Sequence, residues 1–130
     1  MALKIALKPK ERMILGGTVV VNGSSTSSDL IIEYKVPILR QKDILSEKDA
    51  NSPSKRIYFA IQLMYIDEEN RNTHLNIYLK LAKELVQAAP STMGLIDKIS
   101  ESILSDKYYP ALKLAKKLIA YEEEALSCAQ

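Results

Sequence analysis

SPSKRIYFAIQLMYI, residues 52–66, is the stretch on which the fold turns. Ile57, Ala60, Ile61, Met64 and Tyr65 recur at the i, i+3, i+4, i+7, i+8 spacing of one helical face, and Phe59, Leu63 and Ile66 add a second apolar stripe beside it. Ser52 suits an N-cap, and Pro53 suits the first helical position, where a missing N–H costs nothing. Asp67 and the polar run after it end the pattern. A short helix that is apolar nearly all round needs cover on two sides. The chain offers strand-like segments before it and amphipathic helices after it.

Before the helix, Leu3, Ile5 and Leu7 alternate with Lys4, Ala6 and Lys8, the period of a strand with one buried face. Pro9 interrupts the alternation. Met13, Ile14 and Leu15 run into Gly16-Gly17, which reads as a tight turn, and Thr18 to Val21 is β-branched throughout. Asn22-Gly23 then reads as a turn dipeptide, and a serine-rich stretch leads to a further strand at Leu30, Ile31 and Ile32. Val36-Pro37 demands extended backbone, so Ile38-Leu39 is an edge strand or a loop. Residues 41–50 hold at most one helical turn, with Ser46 and Asp49 spaced as a capping box.

After the helix, Leu75, Tyr78, Leu79, Ala82, Leu85, Val86 and Ala89 form an unbroken helical face ended by Pro90. Ser91 is placed to cap a next helix with Leu95, Ile96, Ile99 and Ile103 inward, and a last one runs from about Tyr109 to Leu126. The fold class is therefore α+β: a small N-terminal antiparallel β-meander followed by about four α-helices. A chain of 130 residues with 47% hydrophobic content is the size of one domain, β-rich over 1–40 and helical over 41–130.

Composition narrows the chemistry. The single cysteine, Cys128, and the single histidine, His74, provide no disulfide framework, metal cluster or nucleophile–base pair, so neither an enzyme nor a cofactor is expected. His74 reads as a surface residue in the first turn of its helix. No apolar run approaches the roughly 20 residues of a membrane span, and the N-terminus lacks a signal-like apolar core, which fits a cytoplasmic protein with no membrane partner. The formal net charge of +2 is too small for a global pull on nucleic acid, so any such site is a local patch.

Two cationic groupings are candidates for that patch. Lys4, Lys8, Lys10 and Arg12 share even numbering and line one face of an extended ribbon, with charges about 7 Å apart for every two residues, close to a nucleic-acid backbone repeat. The same row also reads as a solvated strand face whose lysines discourage edge pairing. Arg40, Lys42, Lys55 and Arg56 surround the start of the central helix, where cations oppose the helix dipole unless an anion or a carboxylate such as Asp43, Glu47 or Asp49 joins them. Glu122, Glu123 and Glu124 close the last helix without a lysine three or four residues before them, which reads as a solvated tail or as a surface for a basic partner.

The opening MALKI, the LKP and ER that follow, the GG pair, PILRQKDIL at 37–45 and SKRIYFAIQLMY at 54–65 together resemble the flagellum biosynthesis repressor FlbT family. The likeness extends to YYPALKLAKKLI near the end. It implies a post-transcriptional regulator of flagellin that acts on the leader of flagellin messenger RNA and alters its translation or decay, as a repressor or, in some members, an activator. No catalytic residues come with it. LKIALKPKERMILG is also similar to the first strand and turn of the carbon storage regulator family in the spacing of Glu11 and Gly16, with Lys8 as the counterpart of an RNA-contacting position. Pro9-Lys10 departs from that family's arginine pair.

The expected site is thus an RNA-binding surface drawn from Lys4, Lys8, Lys10, Arg12, Arg40, Lys42, Lys55 and Arg56, with the flagellin mRNA 5′ leader as partner. The alternative is a protein-interaction module, an adaptor for flagellin or a flagellar regulatory protein, which exposed apolar residues such as Leu81 and the glutamate run would serve. Homo-oligomerisation is a further option, since short strands leave unpaired edges.

Overall fold

A computed structural model describes residues 3–128, with side chains described as far as residue 126. The chain forms two compact units, Met1–Ile44 and Leu45–Gln130. The α+β class holds: antiparallel strands come first and four α-helices follow.

The first unit contains β1 (Leu3–Leu7), β2 (Arg12–Leu15), β3 (Thr18–Val21), β4 (Ser28–Ile32) and β5 (Ile38–Arg40). β1 pairs with β4 in one antiparallel sheet, and β2 lies between β3 and β5 in another. Gly16 and Gly17 join β2 to β3 with φ of +58° and +90°, the left-handed pair that a two-residue hairpin requires. Asn22-Gly23 does something else. Asn22 is buried, its Nδ2 donates to the Leu7 and Thr26 carbonyls at 2.9 and 3.0 Å, and its Oδ1 accepts from the Ser24 N–H at 3.0 Å. The side chain, not the dipeptide's turn propensity, carries the chain from β3 toward β4. Ile5, Leu7 and Met13 form the buried cluster of this unit, with Leu15, Leu30, Ile32 and Ile38 packed against it, while Leu3 is left exposed. Ile38-Leu39 resolves as a strand.

The second unit is helical: α1 (Pro53–Ile66), α2 (Arg71–Ala88), α3 (Met93–Leu104) and α4 (Tyr108–Cys128). Ser52 caps α1 as expected, its Oγ accepting from the Lys55 N–H at 3.2 Å. α1 packs on α2 and α4, and α3 packs on α4. Ile57, Ala60, Ile61 and Met64 are buried as their spacing dictates, but the second buried stripe is Ser54, Tyr58 and Gln62 rather than Phe59, Leu63 and Ile66, which are half-buried. Gln62 earns that place by hydrogen bonding: its Oε1 accepts from the Leu45 N–H at 2.8 Å and its Nε2 donates to the Leu45 carbonyl at 2.9 Å. Both polar groups of one residue are satisfied by one amide. Ser91 is not the cap of α3. Its hydroxyl meets the Tyr121 hydroxyl at 2.6 Å, and Pro90–Thr92 form a 3-10 turn ahead of the helix. Ser46 and Asp49 bond side chain to side chain at 2.8 Å beside a 3-10 turn at Glu47–Asp49, without a reciprocal capping box.

Candidate functional site

The first cationic grouping is not a straight ribbon. β1 ends at Leu7 and the chain reverses over Lys8-Pro9-Lys10-Glu11, where the Glu11 N–H donates to the Lys8 carbonyl at 3.0 Å. Pro9 sits second in this turn and Lys10 third, with φ of +64°. That pattern is a type II turn, whose third residue is normally glycine or asparagine. Asn22 then meets two residues at once, accepting from the Lys10 N–H at 2.8 Å and donating to the Glu11 carbonyl at 3.1 Å. Such a bulge also prefers glycine at its first residue, in the left-handed region. Lys10 thus occupies a position that two separate rules assign to glycine, at a cost of about 1–2 kcal/mol for a residue with a Cβ. The turn gathers Lys8, Lys10 and Arg12 within five consecutive residues, and all three side chains are exposed.

Other members of the grouping are engaged. Arg40, at the end of β5, donates from Nη2 to the Ala6 carbonyl at 2.9 Å and lies 3.5 Å from Glu11 Oε2. Glu11 is thus a carboxylate partner of Arg40 that the sequence reading did not name. Glu11 Oε1 accepts from the Lys8 N–H at 2.9 Å, and that bond holds the carboxyl below the usual glutamate range; partial burial opposes the shift and the Arg40 charge assists it. Lys4 Nζ is 3.5 Å from Asp29 Oδ2 on β4, an exposed pair of the kind that contributes little and yields readily to another anion. Lys42 is exposed in the 3-10 turn Gln41–Asp43, whose Gln41 Oε1 accepts from the Arg12 N–H at 2.7 Å.

Lys55 and Arg56 belong to the second unit, in the first turns of α1. The anion their position calls for comes from within the chain. Glu122 Oε2 accepts from the Ser54 N–H at 3.1 Å, so the first of the three closing glutamates is a helix-terminus ligand and not part of a solvated tail. Spacing along α4 could not reveal this, because the partner lies 68 residues away.

His74 is not a surface residue either. Its Nε2 lies 2.9 Å from Asp67 Oδ2, and the ring is mostly buried. That hydrogen bond, with a second from Asn70, keeps the Asp67 carboxyl below its usual range. His74 borders a groove of about 540 Å³ between α1 and α2, whose lining includes Ala60, Leu63, Ile77 and Leu81 together with Arg56 and Glu47. Leu81 is half-buried in this groove rather than exposed, whereas Ile77 and Leu79 are exposed. Among the described residues no group of His, Cys, Asp and Glu could hold a metal ion, and no helix is long and apolar enough to cross a membrane.

Residues 3–126 match the family model described as flagellar protein FlbT. The chain is 46% identical over 124 residues to the "Probable flagellum biosynthesis repressor protein FlbT 1" of Bradyrhizobium diazoefficiens, covering 95% of this chain and 84% of that relative. It is 42% identical over 127 residues to a "Probable flagellum biosynthesis repressor protein FlbT" of Rhodopseudomonas palustris, covering 98% of this chain and 99% of the relative. The flagellum biosynthesis repressor protein FlbT of Caulobacter vibrioides is 35% identical over 128 residues, 97% of this chain and 90% of the relative. No solved structure matches this chain.

Proposed function

The chain belongs to the FlbT family of flagellar proteins, and from that premise we propose that it regulates flagellum biosynthesis by binding the 5′ leader of flagellin mRNA in the cytoplasm and altering its translation or decay. It acts by binding, without catalysis. The observation that carries this reading is Lys10. An exposed lysine is held in a left-handed turn where glycine would cost less, between two further exposed cations, Lys8 and Arg12. Strain kept at an exposed residue points to a use for its side chain. Lys8, Lys10 and Arg12 form the phosphate-contacting centre. Lys42 belongs to the same unit, and Lys4 joins by exchanging Asp29 for a phosphate. Arg40 orders the turn through Ala6 and Glu11, while Lys55 and Arg56 belong to the other unit and are left out of this centre.

The test is fluorescence anisotropy of the purified protein with a flagellin leader RNA at two salt concentrations. Affinity should fall steeply with salt, and replacing Lys8, Lys10 and Arg12 together by alanine should weaken binding and flatten the salt slope by about one unit per lost phosphate contact. Thermal stability should be nearly unchanged, since exposed charges contribute less than about 1 kcal/mol each. Equal affinity for unrelated RNA would remove the regulatory reading, and an unchanged slope in the triple variant would remove the site.

The groove between α1 and α2, with exposed Ile77 in its lining, favours a second reading: an adaptor that holds flagellin or a flagellar regulatory protein. A partner recovered after nuclease treatment, together with purified protein that ignores RNA, would select it.

A further inference from the structure

Among the described residues, β3 is the outer strand of its sheet, paired with β2 on one side only. Asn22, the next residue, directs its N–H and C=O toward Glu11 and Lys10. Backbone direction alternates along an antiparallel strand, so the groups of Thr18 and Val20 also face β2 while those of Val19 and Val21 face away from the sheet. Their side chains are exposed as well, Val19 to 57% and Val21 to 44%. Edge strands are normally guarded by a charge or a proline. Each of the other four described strands carries a charged residue, Lys4, Arg12, Asp29 or Arg40, and β3 alone has none.

We propose that β3 is a self-pairing edge: a second copy of this chain adds to it antiparallel, about a two-fold axis at Val20. In that register Val19 of each copy faces Val21 of the other, and the N–H and C=O of both residues are satisfied, giving four backbone hydrogen bonds across the axis. Registers centred on Val19 or Val21 instead set the other valine against Gly17 or Gly23, and lose the side-chain contact. The partner is a second copy because the edge is compatible with itself: from Met13 to Ser28 there is no charged residue, so two identical strands meet without repulsion. The four valines would form an apolar cluster on one face of a continuous six-stranded sheet, β5-β2-β3-β3-β2-β5. The contact is small beside the roughly 800 Å² per partner of standard interfaces, so the dimer is weak, with a Kd in the micromolar range or above. Pairing does not depend on RNA binding. If the RNA reading holds, the dimer also carries two Lys8–Arg12 turns on one sheet and gains affinity through bivalency.

The experiment is sedimentation equilibrium of the full chain without RNA, over concentrations up to about 1 mM. The wild type should pass from monomer to dimer. Val19→Lys with Val21→Lys sets like charges opposite each other at both paired positions and should weaken the dimer at least tenfold, about 1.4 kcal/mol. Val19→Lys with Val21→Glu sets opposite charges there and should recover it, which only the register centred on Val20 allows. All these positions are exposed, and circular dichroism checks that each variant folds. As an independent measure, Val20→Cys in a Cys128→Ser background should cross-link under oxidation, because a non-hydrogen-bonded antiparallel pair brings its Cα atoms to about 4.5 Å. A wild type that stays monomeric, a dimer indifferent to the double lysine, or a folded Val20→Cys variant that fails to cross-link would each overturn the proposal.

Discussion

Replacing Lys10 by glycine should make the protein more stable and less able to bind RNA. Lys10 has φ of +64° in the turn between β1 and β2. Removing its Cβ relieves about 1–2 kcal/mol of left-handed strain. Glycine's greater freedom in the unfolded chain takes back about 0.5–1 kcal/mol, leaving a net gain of roughly 0–1.5 kcal/mol. Lys10→Ala is the control. It keeps the Cβ and removes only an exposed charge, so its stability should stay within about 0.5 kcal/mol of wild type. Urea denaturation followed by circular dichroism reads the difference as a higher midpoint at unchanged m for the glycine variant. In RNA titrations both variants should lose one phosphate contact and one unit, approximately, of salt slope. A glycine variant less stable than wild type would show that the lysine side chain supports the turn, refuting the strain argument. Wild-type RNA binding by both variants would leave the strain without the function assigned to it.

Three further outcomes follow from the helical unit. Ile61→Ala should destabilise by about 2–5 kcal/mol in thermal or urea unfolding, since Ile61 is fully buried in α1. Gln62→Leu keeps the volume but strands the N–H and C=O of Leu45, and should cost roughly 2–4 kcal/mol; hydrogen exchange should show the Leu45 amide losing protection. Asp67 titrates below the ordinary aspartate range, so it contributes stability that is fully present above that range and is lost as pH falls through its lowered value. In His74→Ala, NMR titration should find the Asp67 carboxyl moved back up toward its ordinary value, and the loss of stability on acidification that Asp67 causes should shrink.

The helices were legible because burial along them follows residue type at fixed spacing. Ile57, Ile61 and Met64 needed no partner to be named before their face was known. Leu79 breaks that rule by standing exposed on a face read as inward, and the other departures are polar residues whose burial depends on a bond to a distant or irregular segment. Gln62 is buried because Leu45 offers both backbone groups, and Asn22 because Leu7 and Thr26 need a donor, and neither fact has a periodic signature. Strand existence was equally readable, whereas pairing was not. β1 meets β4 and not the nearer β2, since the strained turn at Lys10 and the buried Asn22 redirect the chain.

Charges were the least readable feature, for a definite physical reason. Lys4, Lys8, Lys10, Arg12 and Arg40 look alike as sequence, but what each cation can do is set by the nearest acceptor. Arg40 has the Ala6 carbonyl and Glu11, so its charge stabilises the turn from inside. Lys4 has only an exposed aspartate, a contact weak enough to exchange. For Lys10 the deciding fact is its backbone, because a lysine that merely solvated a strand would gain nothing from a left-handed φ. The same logic reverses at α1, where the position of Lys55 and Arg56 calls for an anion and Glu122 already supplies one. The proposed cationic site therefore rests on which positive groups the fold leaves exposed, and on the strain it accepts to hold one of them at the surface.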